Sequence, residues 1–254
     1  MNKIVAIIQA RCGSTRFPNK IFSDIDGKPL IWHVTERLKY AKSIDDIVVA
    51  TTTNVKDNIV DRWCVRNSIK CFRGSENNVL NRYYMATETY PADIIVRITA
   101  DDPFKEPLVI DAVVNTLIEG HYDYVTNNYP PSYPEGLDCE AFTRNTLITM
   151  EKNATEDIEK EHVTQYIFRH LNEFNIKNVS SREMLKNYRW TIDTKEDLQM
   201  VREIYNKRRE CNKGILLMKE ILSIINENPE IVEINSKVHR SLMYEVCEKN
   251  EADF

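Results

Sequence analysis

The chain has 254 residues, 42% of them hydrophobic and 29% charged, enough to bury a substantial core in an enzyme-sized domain. A formal net charge of −5 and a pI near 5.7 exclude a protein held mainly by nucleic-acid phosphates or an anionic membrane surface, so any basic site must be local. No apolar run approaches the ~20 residues needed to cross a bilayer, and the opening apolar stretch is soon interrupted by Arg11, so a cytoplasmic protein is expected.

Short runs rich in Ile and Val alternate with amphipathic stretches through the first half, which is the pattern of βα units winding a parallel sheet. Strands are predicted at about 3–9, 46–52, 69–72 and 93–99. The intervening helices cover roughly 29–42, 55–67, 78–90 and 107–119, the first and last opening at Pro29 and Pro107, where proline is tolerated. Residues 121–143 are rich in Tyr, Pro and Asn and read as a loop-and-strand insertion, an acceptor-facing lobe. Helical signals return at about 144–153, 157–171, 195–210 and 214–227, with Thr194 and Asp197 spaced as a capping box. The expected architecture is a single domain over 1–254. It is a Rossmann-like α/β fold, its mainly parallel sheet flanked by helices, with a small insertion lobe and a helical C-terminal part at about 195–254. The six cysteines form no CxxC pair and scatter along the chain, which indicates reduced thiols and neither a zinc site nor a disulfide framework.

The loop after the first strand reads Ala10-Arg11-Cys12-Gly13-Ser14-Thr15-Arg16-Phe17-Pro18-Asn19-Lys20. Two arginines and a lysine among Gly and hydroxyl residues, at a sheet's carboxyl edge, offer fixed positive charge and backbone N–H groups to a polyphosphate. A solvated loop would carry the same charges. In Arg97-Ile98-Thr99-Ala100-Asp101-Asp102-Pro103 an apolar strand ends in two carboxylates, which either cap a turn or hold Mg²⁺ against phosphate oxygens. Asp193 is predicted to end a short strand immediately before a capped helix, where it could serve as a second metal ligand, while Asp197 is explained by the cap itself.

The opening loop, followed by Gly27-Lys28-Pro29-Leu30-Ile31, resembles the signature of the cytidylyltransferase family that includes the KDO and acylneuraminate enzymes, and most closely its spore-coat polysaccharide branch. Gly136-Leu137-Asp138-Cys139-Glu140, Glu161-His162-Val163-Thr164 and Asp193-Thr194 with Asp197-Leu198 match further segments of that branch, as do Arg73-Gly74 and Asn81-Arg82. The resemblance implies a nucleotide-diphospho-sugar transferase type of fold, CTP as substrate, Mg²⁺ as cofactor, and a homodimer to which 121–143 contributes. It implies Lys20, Arg11 and Asp101 as catalytic residues and Asp101 and Asp193 as metal ligands. Ala10, Arg11, Cys12, Gly13, Ser14, Arg16, Lys20, Arg73, Asn81, Arg82 and Thr99 would bind the nucleotide. Asp138, Glu140, His162 and Arg189 would meet the acceptor, the first two facing one way if both lie on a strand; by default His162 is a packed or hydrogen-bonded histidine.

The chain departs from the branch at Ala100, where glycine is usual, and at Lys105-Glu106, which replaces an apolar-acidic pair. Lys105 could therefore receive a phosphate as easily as a carboxylate. The reaction implied is attack of an acceptor oxygen on the α-phosphorus of CTP with loss of pyrophosphate, a chemistry that needs alignment and charge neutralisation and no nucleophilic triad. A 2-keto sugar acid is the favoured acceptor, with a phosphorylated or phosphonate compound as the alternative. A nucleotide-sugar-dependent glycosyltransferase of related fold and a non-catalytic nucleotide-binding subunit are the rival classes. The triphosphate loop speaks against the first, and the joint presence of Lys20, Asp101 and Asp193 against the second.

Overall fold

The computed structural model describes residues 2–208 and 214–241. Cys211, Cys247, the last residues of the helix expected to reach 210, and the part of the C-terminal region beyond 241 lie outside the described residues.

The chain opens with β1 (Ile4–Gln9), then a two-residue hairpin pair β2 (Asp24–Ile25) and β3 (Lys28–Pro29), helix α1 (Leu30–Leu38), β4 (Asp46–Thr52), α2 (Asn58–Arg66), β5 (Lys70–Gly74), α3 (Val79–Thr89) and β6 (Ile94–Thr99). There follow α4 (Pro107–Glu119), β7 (Tyr124–Thr126), β8 (Glu140–Thr143), α5 (Arg144–Asn153), α6 (Asp157–Glu161), α7 (Gln165–Arg169), β9 (Ile176–Asn178), α8 (Lys195–Asn206), α9 (Met218–Glu227) and α10 (Glu230–Glu233). The larger sheet has the order β5-β4-β1-β6-β8-β7-β9. Neighbours pair in parallel except at β8, which runs against both β6 and β7.

Alternation along the strands sorts the core into two layers. Ile4, Ala6 and Ile8 of β1, with Val96 and Ile98 of β6, pack against Leu30, Val34 and Leu38 of α1, Val113 and Leu117 of α4, and Val201 and Ile204 of α8. Val5, Ile7 and Ile95 face the other way, against Leu80 and Tyr83 of α3, Leu147 and Met150 of α5, and Tyr166 and Ile167 of α7. Because both faces are covered, the central strands read as unbroken apolar runs. The capping box at Thr194 and Asp197 is present and starts α8.

Several elements differ from the sequence reading: β2, β3 and α10 were not anticipated, and the segment expected to be a strand ending at Asp193 forms only an isolated bridge at Arg189. The irregular stretch 121–143 supplies β7 and β8 to the main sheet, leaving residues 121–123 and 127–139 as its loops. The helix expected over 157–171 is two short helices, separated at Val163, which is buried with φ 25°, and Thr164, whose hydroxyl bonds Glu140. β9 was not anticipated, since its three residues carry no two-sided apolar pattern.

Connections from β1 lead outward to β4 and β5, and the chain then returns to place β6 on the other side of β1. The carboxyl ends of β1 and β6 therefore flank a topological switch point, where open α/β sheets form their ligand crevices.

Candidate active site

A cavity of about 250 Å³ opens at that point, lined by Gln9 and the loop residues Arg11, Ser14, Thr15, Arg16, Lys20 and Ile21 from β1, by Thr99, Ala100 and Asp101 from β6, and by Asp193. Lys20 begins a short 3₁₀ turn after Asn19, which adopts the left-handed conformation, and the turn directs the lysine inward, 8% exposed. Its Nζ donates to Asp101 Oδ2 at 2.7 Å and to Asp193 Oδ1 at 2.8 Å. Burial pulls the Lys20 ammonium down, but the two carboxylates outweigh it and hold its pKa above the ordinary lysine value. Burial likewise raises Asp193, and Lys20, Arg16 and Arg189 more than reverse that, so its carboxyl lies below the usual range.

Asp193 is fixed from behind. Its Oδ2 accepts from Arg16 at 3.0 Å and from Arg189 at 3.0 Å, and its N–H donates to Asp197 Oδ2 at 2.9 Å. The cap of α8 thus also orients the residue that faces the cavity. Arg189 is 6% exposed and spans Asp197 and Glu135 as well, so it is engaged as a brace. The expectation that Arg189 meets an acceptor carboxylate is corrected accordingly, because its guanidinium is already shared among three acids.

Other expected residues divide by side-chain direction. Cys12 is buried, its N–H donates to Asp57 Oδ1 at 2.7 Å, and burial together with Asp57 pushes its thiol up to about 12. Its backbone donor is therefore committed to the protein, contrary to the nucleotide-binding role expected of it. Ala10 is buried and extends the β1–β4 ladder through Ala50. Gly13 is exposed beside Glu76, and Ser14 accepts from the Phe17 N–H. Arg73 braces the exit of β4, donating to the carbonyls of Thr52 and Asn54 at 3.0 Å each, and the buried Arg82 donates to the Ser75 carbonyl at 2.6 Å. The Asn81 amide reaches Glu151 of α5.

Glu140 is correctly placed on a strand, but its carboxylate is buried against Arg97, Tyr124 and Thr164, so it ties elements together instead of facing hydroxyls of a ligand. Asp138 precedes β8 and is not on the strand, so the two acids do not share a face as expected. His162 is exposed at the C-terminal end of α6, on the sheet face that carries α3, outside the lining of the cavity. Lys105 is fully buried, bonded to Asp102 at 2.8 Å and to the Asp138 carbonyl, so it offers no ammonium to a phosphate. The Lys105-Glu106 departure thereby has an internal account, since Glu106 also receives the Met218 N–H at 2.6 Å.

Gln9, Thr15 and Ile21 line the cavity without having been anticipated. Gln9 had a signal: it is the one polar residue at the end of an otherwise apolar strand.

Comparison with known proteins agrees with this geometry. The family model described as Cytidylyltransferase matches residues 5–226. The spore coat polysaccharide biosynthesis protein SpsF of Bacillus subtilis is 33% identical over 237 residues, covering 91% of this chain and 97% of that protein. A 3-deoxy-manno-octulosonate cytidylyltransferase of Chlamydia trachomatis serovar A is 29% identical over 212 residues, covering 79% and 81%. The solved structure of a cytidylyltransferase from Leptospira borgpetersenii serovar Hardjo-bovis superposes with a TM-score of 0.87 at 29% identity, covering 94% of this chain and all of that one.

Proposed function

The chain belongs to the cytidylyltransferase family, a nucleotidyltransferase class, and from that premise we propose that it moves CMP from CTP to a hydroxyl of a carboxylated sugar, releasing pyrophosphate, in the synthesis of a surface polysaccharide or glycoconjugate. The observation that carries this reading is the buried Lys20 poised between Asp101 and Asp193 at the mouth of β1 and β6. Phosphoryl transfer gathers negative charge on the phosphorus centre and the leaving pyrophosphate. Lys20, with Arg11 and Arg16 on the same rim, is fixed positive charge aimed where that charge grows, in a site already partly shielded from water. Holding the triphosphate along the loop and the acceptor beside Thr99 and Ala100 would align the attacking oxygen, which is the other large contribution such an enzyme makes.

Asp101 and Asp193 are the residues that would hold Mg²⁺. Each turns one hard carboxylate oxygen into the cavity, where both now accept from Lys20, and Mg²⁺ characteristically takes one or two protein carboxylates and completes its shell with water and phosphate oxygens. When bound, the ion supplies further neutralisation of phosphate charge. Among the described residues no group of three or more His, Cys, Asp or Glu side chains that could hold a metal ion is assembled.

The buried state of Lys105 removes one cation that could have met either a phosphate or a carboxylate, so what supports the sugar-acid acceptor is the likeness to a 3-deoxy-manno-octulosonate cytidylyltransferase. Pyrophosphate release with each of the four nucleoside triphosphates, across 2-keto sugar acids, sugar phosphates and phosphonates, tests the proposal. CTP with a 2-keto sugar acid should turn over fastest. Equal or better turnover with ATP, GTP or UTP would remove the nucleotide assignment. Inactivity with every sugar acid, alongside turnover of a phosphorylated compound, would remove the acceptor assignment and leave the CTP chemistry standing. The same reading takes the protein as a cytoplasmic homodimer, and a strictly monomeric mass in sedimentation at micromolar concentration would contradict the latter. No helix among the described residues is long and apolar enough to cross a membrane.

A further inference from the structure

The brace behind Asp193 extends beyond the residues that line the cavity. Asp193 turns Oδ1 to Lys20 and gives Oδ2 to Arg16 and Arg189. Arg189 spends its other nitrogens on Asp197, with Nε to Oδ1 at 2.9 Å, and on Glu135, at 2.8 Å. Asp197 is fully buried and Glu135 is 3% exposed, so these are charges that need complete hydrogen bonding to be tolerated. The remaining demand is met from far along the chain. Asn235, just past the end of α10 and 4% exposed, donates its amide to Asp197 Oδ1 at 2.9 Å and to the Arg189 carbonyl at 3.1 Å. A single side-chain amide thus joins the main chain of the brace to the acid that the brace holds. Arg240 Nε and the Ser241 N–H close on Glu135 at 3.1 Å each, so the same C-terminal segment meets the brace at both of its acids.

We propose that Asn235 is a positioning residue for the Asp193 carboxylate: by locking the Arg189 backbone to Asp197 it fixes the direction in which Asp193 presents Oδ1 to the cavity. The proposal rests on the nucleotidyl-transfer reading and adds to it a residue outside the cavity lining. Groups that orient a ligating carboxylate without touching the metal typically affect metal affinity or activity by 10–100-fold. An amide that only secured the C-terminal segment would affect stability and nothing else.

The two cases separate in the affinity of the full-length chain for a divalent ion. Mn²⁺ binding to wild type and Asn235→Ala is followed by electron paramagnetic resonance, without nucleotide and with CTP, beside the Mg²⁺ dependence of pyrophosphate release. The expected result is Mn²⁺ affinity weakened about tenfold and half-saturating Mg²⁺ raised by a similar factor, with KM for CTP at saturating Mg²⁺ within about twofold of wild type. A lower melting temperature with unchanged Mn²⁺ affinity and unchanged Mg²⁺ dependence overturns the proposal. If Asn235→Ala does not yield folded protein, Asn235→Ser, whose hydroxyl is too short to reach both acceptors, decides on the same readouts. A wild-type chain that binds Mn²⁺ yet releases no pyrophosphate from any nucleotide counts against the transfer reading alone, since the variant's Mn²⁺ affinity still decides the role of Asn235.

Discussion

Lys20 is the side chain that joins the two acids at the cavity, and its removal has two separable effects. Lys20→Met leaves Asp101 and Asp193 facing one another with no ammonium between them. Pyrophosphate release should fall at least about 10²-fold, the loss typical when one preorganised donor to a developing charge is removed, and kinetics at saturating CTP measure it. Because the Lys20 pKa is raised, its contribution to folding is fully present below the unfolded lysine value and is lost only as pH rises through the higher folded value. Its stabilising effect should therefore be flat through neutral pH, with any decline confined to strongly alkaline conditions. The places of Lys20 and Asp101 at the cavity were legible in the sequence because a charged loop and a strand end locate such residues without knowledge of packing, and that of Asp193 from its position before a capped helix, although the strand expected to end there is absent. Cys12, Glu140, Asp138 and Arg189 were not, because their roles depend on which way a side chain turns and on what lies within 3 Å of it. Motif matching carries no such information: Arg189 was expected to meet the acceptor, whereas its partners Glu135 and Asp197 lie on opposite sides of it in the chain.

At the scale of elements, Glu140 joins β8 to β6 through Arg97, to β7 through Tyr124, and to the break between α6 and α7 through Thr164. Burial raises its pKa, but Arg97, then Tyr124 and Thr164, lower it further, so the carboxyl lies below its ordinary value. Glu140→Gln leaves Arg97 with a buried, uncompensated charge and should cost about 3 kcal/mol, read from urea unfolding at pH 7. A depressed carboxyl contributes stability above its unfolded pKa and loses it as pH falls through the folded one. The gap between wild type and variant should therefore persist through neutral pH and close below about pH 4; a gap that stayed constant down to pH 3 would contradict this account. A second prediction concerns Gly136, which has φ 106° and whose added Cβ would stand 2.7 Å from the Thr191 backbone nitrogen. Gly136→Ala should lower stability by about 2 kcal/mol in thermal or denaturant melts, since both the backbone conformation and the contact forbid a side chain. The main strands and helices were readable from period and proline placement. The split at Val163 was not, because a buried hydroxyl bond to Glu140 competes there with continued helix, and that competitor lies 24 residues away.

Across the whole molecule, one strand reversal has a consequence for how the fold can change. β7 runs with β6 and so ends at the rim of the sheet on which the cavity opens, while β8 runs against it and so begins there. The connection 127–139 consequently leaves and re-enters the sheet on the same edge, holding Glu135 against Arg189 and the Asp138 carbonyl against Lys105 on the way. Every other strand of the main sheet sends only its exit to that rim. A lineage can therefore lengthen or shorten the outer part of this one hairpin tip, away from Glu135, Gly136 and Asp138, while strand order, register and the loop that follows β1 stay as they are. Such a division lets one edge of the molecule change by local insertion and deletion while the sheet and its crevice are inherited intact.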